Sequence, residues 1–482
     1  MPYFGNPSFT GLGGRLGQIS HTGIRIATEF DTAKHAGTSA DPWTRAAIQN
    51  GIDDIPASGG LLLAPAGVFS ISSPLAGKTL ADIAGVGWAT VFKLANAVNV
   101  NLLNVAGDAL IDRTDVHISD IKFDGNKANQ SAFTVLLNFQ GTRLFVDRCS
   151  FLNSFGDGFF AVGENIHISK CYFEGNDDTA IVFSGVNNTG QGLVCTHVSA
   201  AHCKFKDNAT ALNVANDGDW IGFSDNDIET SAKAIELGLT ANGTRYSNHV
   251  QISRNRIRST STTQTPIAGG AAGATAGEDI LVEKNTVRGG KWGIHVGGID
   301  VRLIGNRVAL AREYGILIDI GTLVLCSLNA VKNCGQSGVN QQGIRVTIAD
   351  VDVLDNHVFD NQGVPTQDRG IVLAGTSSGC RASGNRVHGN ITDQILNLGS
   401  NNQVRRNPGH VTENRGAAII LNGTASIVVA HGLIGTPLIA FATGRNLETD
   451  ECRISARDGT NVTIAVPANV TADRTIDWYA EV

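Results

Sequence analysis

Apolar positions between residues 116 and 407 recur in a short repeated phrase, whose clearest copies read ISRNRI, VEKNTV, LIGNRV, VLDNHV and ASGNRV. The fourth residue of each copy forms a column, and an apolar residue follows two positions later. Neighbouring members of the column are 21 to 32 residues apart, a period typical of solenoid proteins. The column consists of Ile121, Cys149, Cys171, Cys203, Asn226, Asn255, Asn285, Asn306, Asn329, Asn356, Asn385 and Asn407.

A second phrase in the same window pairs a small residue with an apolar one, as in Ala180-Ile181 and Gly293-Ile294, and another apolar residue follows two positions on. Apolar residues at alternate positions predict a strand with one buried face. Each repeat therefore holds at least two short strands separated by Gly and Asn turns. Neither regular leucine spacing nor a helical period is present, so the pattern favours a parallel β-helix with column residues stacked at about 4.8 Å.

Upstream of the repeats, Asp41 is a plausible helix N-cap before Pro42, and Ala47, Ile48, Ile52 and Ile55 share one helical face. The strand–turn–strand phrase GGLLLAPAGVFSI and the phrase IAGVG follow. This order resembles the opening of the pectate-lyase-like superfamily, over roughly residues 30–410. The resemblance implies an all-β fold, a right-handed single-stranded parallel β-helix whose open end is capped by a short helix. Bacteriophage tailspikes, capsule depolymerases, lyases, epimerases and hydrolases share this beginning.

After Asn407 the repeat stops, and short apolar strands alternate with Gly, Asn and Pro turns. This pattern predicts a small antiparallel β-sandwich, which resembles C-terminal modules used for trimerisation or carbohydrate binding. The predicted strands cover 417–421, 426–430, 438–442, 452–456, 461–466 and 473–480. The predicted organisation is an N-terminal arm (1–30), a capping helix with the first coils (31–115), the β-helix repeats (116–410) and the C-terminal β-sandwich (411–482). Residues 258–279 interrupt the repeat and predict either a loop or one weakly patterned coil containing Ile267.

Composition narrows the function classes. The net charge of −7 argues against nonspecific nucleic-acid binding, and the chain has no apolar run long enough for a membrane span. Its first residues lack the cationic and apolar regions of a Sec signal peptide. The eight cysteines have no metal-ligand spacing, so Cys149, Cys171 and Cys203 are predicted to be reduced thiols stacked in the core.

No single catalytic motif is present, so candidate chemistry is sought among outward side chains. The middle residue of the second phrase forms an outward column with a polar centre: Phe160, Val182, Asn213, Glu236, His295, Leu317, Arg345 and Val372. Glycoside hydrolysis needs two carboxyl groups about 5–10 Å apart, which adjacent coils can supply. Glu236, Asp219, Asp178 and His295 are the predicted catalytic residues. Trp292, Tyr314, Arg345 and Lys291 are the predicted substrate-binding residues, although any solvated strand face carries such side chains.

A second outward column lies one residue after the column of the repeated phrase and is basic in its later half, with Arg256, Arg307, His357 and Arg386. It could bind an acidic polysaccharide, but a solvated row or a subunit interface is the favoured interpretation. In the turns near the first outward column, the tight acidic groups are Asp177 with Asp178 and Asp217 with Asp219. Because no aspartate ladder recurs, no metal or cofactor is predicted and a Ca²⁺ site is not favoured.

Taken with the resemblance, these features predict a tailspike-like homotrimer that binds and depolymerises a cell-surface polysaccharide as a glycoside hydrolase or lyase. The expected location is a virion tail or the extracellular space, with the arm contacting phage tail components. A free lyase, hydrolase or epimerase is one alternative, and a non-enzymatic structural or adhesin fibre is another. The identity of the polysaccharide is not encoded in any pattern, because one fold supports many chemistries.

Overall fold

The computed structural model describes residues 24–31, 35–105, 113–185, 195–215, 218–237, 247–269, 277–338, 341–445 and 451–482. Most of the predicted N-terminal arm therefore lies outside the described residues. The chain forms two compact units, Met1–Val301 and Arg302–Val482. In each unit the chain winds in coils of parallel strands, and a full coil contributes one strand to each of three faces. We call these faces 1, 2 and 3, in the order in which the chain meets them in each coil.

The strands of the first unit follow this order from coil to coil. Face 1 contains Ile24–Ile26, Gly60–Leu63, Ala81–Ala84, Arg113–Ser119, Cys195–Ala201, Gly218–Ser224, Ser247–Ser253 and Glu278–Glu283. Face 2 contains Trp43–Thr44, Gly67–Ile71, Thr90–Leu94, Lys122–Asp124, Ser150–Leu152, Tyr172–Glu174, Lys204–Lys206, Asp227–Thr230, Arg256–Ser259 and Thr286–Gly289. Face 3 contains Leu75–Ala76, Leu103–Val105, Thr179–Ser184, Thr210–Ala215, Lys233–Leu237, Ile267–Gly269 and Ile294–Val296.

Two longer strands, Leu137–Asp147 and Phe159–Ser169, begin on face 3 and end on face 1. The chain changes face at Gly141 and Gly163, which are paired across the two strands. Gly163 has a φ of +127°, and a Cβ there would lie 1.9 Å from the carbonyl oxygen of Gly141. Only glycine fits this close approach, so the two glycines set where face 3 turns into face 1.

The second unit continues the same pattern and then changes to antiparallel sheets. The strand Ile299–Ile304 includes the last residues of the first unit and the first of the second. The parallel strands of the second unit are Arg307–Ala309, Tyr314–Ile318, Val324–Ser327, Ala330–Lys332, Gln342–Val346, Val351–Leu354, His357–Phe359, Arg369–Leu373, Arg381–Ser383, Arg386–His388, Asp393–Asn397 and Gln403–Arg405. The three strands Glu413–Ile420, Arg474–Glu481 and Ile439–Gly444 form one antiparallel sheet, and Ser426–Ala430, Asn461–Ala465 and Arg453–Arg457 form another.

The two antiparallel sheets share one apolar core, to which Ile420, Ile476 and Trp478 of one sheet and Val462 and Ile464 of the other contribute. The predicted C-terminal antiparallel β-domain is therefore confirmed, and each strand lies within a few residues of its predicted position.

One α-helix, Arg45–Asp53, is present among the described residues, with short 3₁₀ turns at Ala27–Phe30, Gly87–Ala89 and Lys127–Asn129. The predicted helix start at Pro42 is wrong, because Thr44 is the N-cap. Trp43 and Thr44 are extended and pair with Phe69 and Ser70, which excludes them from the helix. The predicted apolar face is buried: Ala47, Ile48 and Ile52 are fully enclosed. No helix in the described part of the chain is long and apolar enough to cross a membrane.

The predicted column lies inside the coils at the turn from face 1 to face 2. In the first unit, the Oδ1 atom of Asn255 accepts from the backbone N–H and the Nδ2 of Asn226, at 3.1 and 2.9 Å. Nδ2 of Asn255 in turn donates to Oδ1 of Asn285 at 3.0 Å and to the carbonyl of Phe223. The amide of Asn255 is thus fully bonded, which removes the cost of burying a polar group. Asn306, Asn329 and Asn356 repeat this arrangement within the second unit.

Residues 258–279 belong in part to a coil, since Ile267 pairs with Ile235 and with Ile294 on face 3. The prediction that every middle residue of the second phrase faces solvent is wrong for three apolar members, whereas Phe160 is partly exposed. Val182 in the first unit and Leu317 and Val372 in the second are buried, as the hydrophobic effect favours for apolar side chains. The polar members Asn213, Glu236, His295 and Arg345 remain partly exposed.

Candidate functional site

An outward row on face 3 of the first unit carries two of the predicted catalytic side chains. Asn213, Glu236, Ala268 and His295 occupy the same register position on successive strands. At a strand spacing of about 4.8 Å, the Cα atoms of Glu236 and His295 are about 10 Å apart. Ala268 lies between them in the row. Because its side chain is only a methyl group, the space between the carboxylate of Glu236 and the imidazole of His295 is not filled by a larger side chain of the row.

Glu236 and His295 have different immediate partners. The ammonium group of Lys233 forms an ion pair with the carboxylate of Glu236. The ring of Trp292 meets that of His295 edge-on, with centroids 4.9 Å apart. The Nζ atom of Lys291 lies 4.5 Å from the Trp292 centroid, a cation–π distance. The structure thus brings Lys291, Trp292 and His295 into one cluster.

Tyr314 and Arg345 form a separate contact in the second unit. The guanidinium carbon of Arg345 lies 5.6 Å from the Tyr314 ring centroid, and Nη1 of Arg345 donates to Oε1 of Gln342 at 3.1 Å. Tyr314 is only 8% exposed, and burial raises the pKa of its hydroxyl. Little of the Tyr314 ring is therefore open to a sugar, and its ring supports the more exposed Arg345.

Asp219 lies on face 1 and binds a histidine on the next strand. Its Oδ1 is 2.7 Å from Nδ1 of His249, and the His249 ring stacks on Trp220 with centroids 4.3 Å apart and planes within 2°. Trp220 and His249 both adopt left-handed backbone conformations, with φ of 54° and 49°, which bulky residues rarely do. A carboxylate on Nδ1 sets the tautomer that leaves Nε2 as a proton acceptor, so Asp219 and His249 form a potential general base.

Asp178 lies at the corner between faces 2 and 3 of the first unit, where it meets a second carboxyl group. The backbone N–H of Thr179 donates to Oδ1 of Asp157 at 3.0 Å, and the Thr179 hydroxyl donates to Oδ1 of Asp178 at 3.4 Å. One threonine therefore links two carboxyl groups on adjacent coils. The backbone N–H of Asp178 also donates to the carbonyl of Gly156, at 3.2 Å, which ties the two turns together.

The two carboxyl groups at this corner have unlike environments. Asp157 is 6% exposed, whereas Asp178 is exposed to solvent. Burial is the main cause that raises the pKa of Asp157 to about 7, and the negative charge of Asp178 adds to it, against the lowering effect of the Thr179 N–H. A carboxyl pair with one member held protonated near neutral pH is the arrangement that acid–base catalysis uses.

Two aromatic rings border the same corner. Phe133 is 55% and Phe155 38% exposed. A Cβ on Gly156 would lie 2.7 Å from Cε2 of Phe133, so that ring packs directly over the turn carrying Asp157. On the other side, Lys127 donates to the carbonyl of Gly175 at 2.7 Å and to Asp177 at 2.8 Å. The corner therefore combines carboxyl groups with apolar ring surface, which suits a sugar.

The four predicted catalytic residues are thus distributed over three places. Glu236 and His295 share the face 3 row, Asp219 lies on face 1, and Asp178 lies at the corner. No group of three or more His, Cys, Asp or Glu suited to a metal occurs in the described part of the chain. Asp217, part of one acidic pair considered for Ca²⁺, lies outside the described residues, and Asp177 of the other pair is bound by Lys127.

Comparisons with known proteins agree with this architecture. Residues 237–408 match a family model described as a right-handed β-helix region. This protein has the right-handed parallel β-helix fold. A tailspike protein of E. coli bacteriophage HK620, solved with a hexasaccharide, aligns over 95% of this β-helix chain and 93% of its own, with 10% identity and a TM-score of 0.56. No curated protein sequence matches the chain.

Two further solved structures resemble this β-helix protein. The Dettilon tailspike protein aligns over 98% of this chain and 95% of its own, with 13% identity and a TM-score of 0.52. The A-module of the Azotobacter vinelandii mannuronan C-5 epimerase AlgE6 aligns over 80% and 98%, with 14% identity and a TM-score of 0.52. At these identities the likeness concerns the fold, which serves several reactions.

Sequence reasoning missed Asp157, His249 and Trp220. Asp157 lies in the turn phrase SFGDGFF, and it belongs to neither of the two repeated columns. His249 and Trp220 are each the third residue of a face 1 strand, at a position with left-handed backbone. This position has no hydrophobic signature, since Asp115, Arg143 and Asn165 occupy it in other coils.

Proposed function

We propose that this β-helix protein binds a cell-surface polysaccharide and hydrolyses its glycosidic bonds at the corner formed by Phe133, Phe155, Asp157 and Asp178. The observation that carries the proposal is the pair of carboxyl groups joined through Thr179, one buried and one exposed. The two exposed phenylalanines beside the pair offer ring surface on which the apolar face of a sugar can pack.

The different environments of Asp157 and Asp178 suggest which carboxyl group acts as the acid and which as the nucleophile or base. Asp157, whose pKa is raised to about 7, donates its proton to the glycosidic oxygen as the bond to the anomeric carbon breaks. Asp178 supplies a carboxylate that either attacks the anomeric carbon or takes a proton from the attacking water. Adjacent coils are about 4.8 Å apart, nearer to the separation of retaining than of inverting glycosidases. We therefore expect retention of anomeric configuration.

The face 3 row extends the proposed binding surface along the coils. Lys291 and Trp292 supply a cation and an aromatic ring, and Glu236 and His295 supply hydrogen-bonding groups. Arg345 remains a proposed substrate-binding residue in the second unit. A polymer that follows the row would make repeated weak contacts along it.

We further propose that the chain acts as a tailspike-like homotrimer, in a virion tail or outside the cell, with residues 1–30 as the attachment arm. The C-terminal sheets expose several large apolar side chains, among them Val428, Leu438, Ile439 and Phe441. Such a surface suits contacts between copies. Mass measurement in solution tests this part: a stable trimer supports it, and a monomer at micromolar concentration contradicts it.

The activity is tested by incubating the protein with a panel of bacterial capsular and O-antigen polysaccharides. Hydrolysis predicts new reducing ends without absorbance from an unsaturated uronate, and proton NMR of the first product reports its anomeric configuration. Absence of cleavage across the panel, together with measurable binding, would replace the hydrolase by a fibre that only binds.

A second candidate activity is proton abstraction from a uronate, leading to elimination or C5 epimerisation. The Asp219–His249 pair favours it, because it presents an oriented imidazole on an exposed face. Elimination would produce an unsaturated uronate that absorbs in the ultraviolet, and epimerisation would change the uronate composition without cleavage. Either activity should be lost in His249→Gln and kept in Asp178→Asn, the reverse of the result expected for hydrolysis.

A further inference from the structure

Two histidines on face 2 of the second unit lie unusually close together. His357 and His388 belong to the adjacent strands His357–Phe359 and Arg386–His388, and their Nε2 atoms are 3.0 Å apart. Both side chains point away from the core, since His357 is partly exposed and His388 exposed. Neither is needed for the stacked interior, which here consists of Val358 and Val387.

Phe359 fixes the orientation of both imidazoles. Its ring centroid lies 4.3 Å from that of His357 and 5.3 Å from that of His388, with interplanar angles of 26° and 16°. Rings packed in this way have lost part of their rotational freedom before any ligand arrives. Such preorganisation favours binding of a ligand that needs both nitrogens at once.

We infer that His357 and His388 form a two-histidine binding site for a divalent transition-metal ion. Imidazole nitrogen is a preferred ligand of Cu²⁺, Ni²⁺ and Zn²⁺. A metal bound to both Nε2 atoms takes the place of the proton that one of them donates to the other at this distance.

The separation of the two nitrogens selects among metals. With metal–nitrogen bonds of about 2.1 Å, nitrogens 3.0 Å apart subtend an angle of about 90° at the metal. Neighbouring ligands make this angle in square-planar and octahedral sites, which Cu²⁺ and Ni²⁺ adopt. Tetrahedral Zn²⁺ would need the nitrogens about 3.4 Å apart. We therefore expect the order Cu²⁺, then Ni²⁺, then Zn²⁺.

The surroundings limit how tightly the metal is held. No third His, Cys, Asp or Glu completes the site within the described residues, so water would fill the remaining positions. Arg386 pairs in register with His357, and Lys332 with Phe359. Their positive charges oppose a cation, so the site suits reversible binding.

Calorimetric titration of the tag-free full-length protein with CuCl₂, NiCl₂ and ZnCl₂ tests the site. We expect one strong Cu²⁺ per chain and a weaker Ni²⁺, and His357→Gln and His388→Gln should each weaken binding by about tenfold or more, because a second tethered ligand raises the effective concentration. The control His202→Asn removes a single exposed histidine from the first unit and should change nothing. Circular dichroism verifies that each variant is folded.

Electron paramagnetic resonance of the Cu²⁺ complex should show two nitrogen ligands in the wild type and one in either glutamine variant. Equal Cu²⁺ affinity in the wild type and both variants would overturn the site, as would tighter binding of Zn²⁺ than of Ni²⁺. None of these measurements uses a polysaccharide, so they test the metal site independently of the proposed hydrolase activity.

Discussion

Earlier and later coils of the first unit fill the same interior position with different chemistry. At the turn from face 1 to face 2, the earlier coils carry Cys149, Cys171 and Cys203, whereas the later coils carry Asn226, Asn255 and Asn285. Beside the cysteines, the rings of Phe123, Phe151, Phe173 and Phe205 stack at 4.8 to 5.0 Å. Beside the asparagines the equivalent residues are Ile228, Ile257 and Val287.

The same coil geometry is therefore stabilised in two different ways in the first unit. The earlier coils rely on apolar packing of rings and thiols, and the thiols make only weak contacts, such as Cys149 N–H to Sγ of Cys171 at 3.4 Å. The later coils rely on a hydrogen-bonded amide ladder. The two halves also differ outside, because the earlier coils carry the Asp157–Asp178 corner and the later coils carry the row from Glu236 to His295.

Breaking the amide ladder should give the largest loss of stability. Asn255→Leu leaves the Asn226 N–H and Nδ2 groups without their shared acceptor, and removes the donor to Asn285. At about 1–3 kcal/mol for each buried group left unbonded, we expect a loss of about 3–5 kcal/mol in the free energy of unfolding. Chemical denaturation monitored by circular dichroism measures it. Asn422→Leu, at an exposed turn, is the control and should change little.

Removing the buried carboxyl group should change how stability depends on pH. Asp157 titrates at about 7 in the folded chain instead of 3.8, so the folded state holds a proton that the unfolded state releases. Stability is then greatest below about pH 4, falls as pH rises through about 7, and is constant above. The whole difference corresponds to at most about 4 kcal/mol.

Asp157→Asn keeps an acceptor for Thr179 and removes the titration. Its thermal midpoint should exceed that of the wild type at pH 8, and the two should converge toward pH 4. Parallel midpoints across this range would show that Asp157 is not the group that titrates.

Removing one thiol from the cysteine column should lower the free energy of unfolding much less than breaking the amide ladder. Cys171→Ala removes one buried sulfur atom and no strong hydrogen bond. We expect a loss of about 1 kcal/mol, close to that for one buried methylene group. The same denaturation experiment as for Asn255→Leu applies. A loss of stability as large as that of the asparagine variant would mean that the cysteine and asparagine side chains contribute equally to stability.

The smallest expected effect concerns the aromatic border of the corner. Phe155→Ala removes a ring that is already 38% exposed, so stability should hardly change. Loss of a ring–sugar contact worth about 1 kcal/mol would weaken polysaccharide binding about fivefold, as measured by calorimetry with an uncleaved fragment. Trp88→Ala, which removes a ring stacked on Tyr172, is the matched control. Unchanged affinity in Phe155→Ala would place the sugar elsewhere.

Most of the fold was predictable, because burial imposes a period on the chain. The column from Cys149 to Asn407, the alternating apolar positions and the C-terminal strands all follow from which side chains must leave water. The sequence predicts at least two strands in each coil, whereas a full coil has three, because three-residue strands such as Lys204–Lys206 are too short to show a period of their own. The helix start was misplaced because Trp43 and Thr44 pair with residues far along the chain.

The candidate site was only partly predictable. Trp292, His295 and Lys291 are near one another in sequence and in space, but the partners of Asp178 and Asp219 come from neighbouring coils. Asp157 reaches Asp178 through Thr179, and His249 reaches Asp219 from 30 residues away. Variable turn lengths hide these pairings, since a coil-to-coil step can only be counted once the strands are paired. The pKa of Asp157 likewise depends on burial that no sequence pattern reports.

The most direct test of the proposed hydrolase is the cleavage rate of three matched variants on a polysaccharide that the wild type degrades. Asp178→Asn should lower kcat by at least about 100-fold. Asp177→Asn, one residue away in the same turn and bound to Lys127, should stay within a few-fold of the wild type, as should Glu236→Gln. Full activity in Asp178→Asn would contradict the account. Loss of activity in Glu236→Gln alone would contradict it as well, and would move the catalytic centre from the corner to the face 3 row.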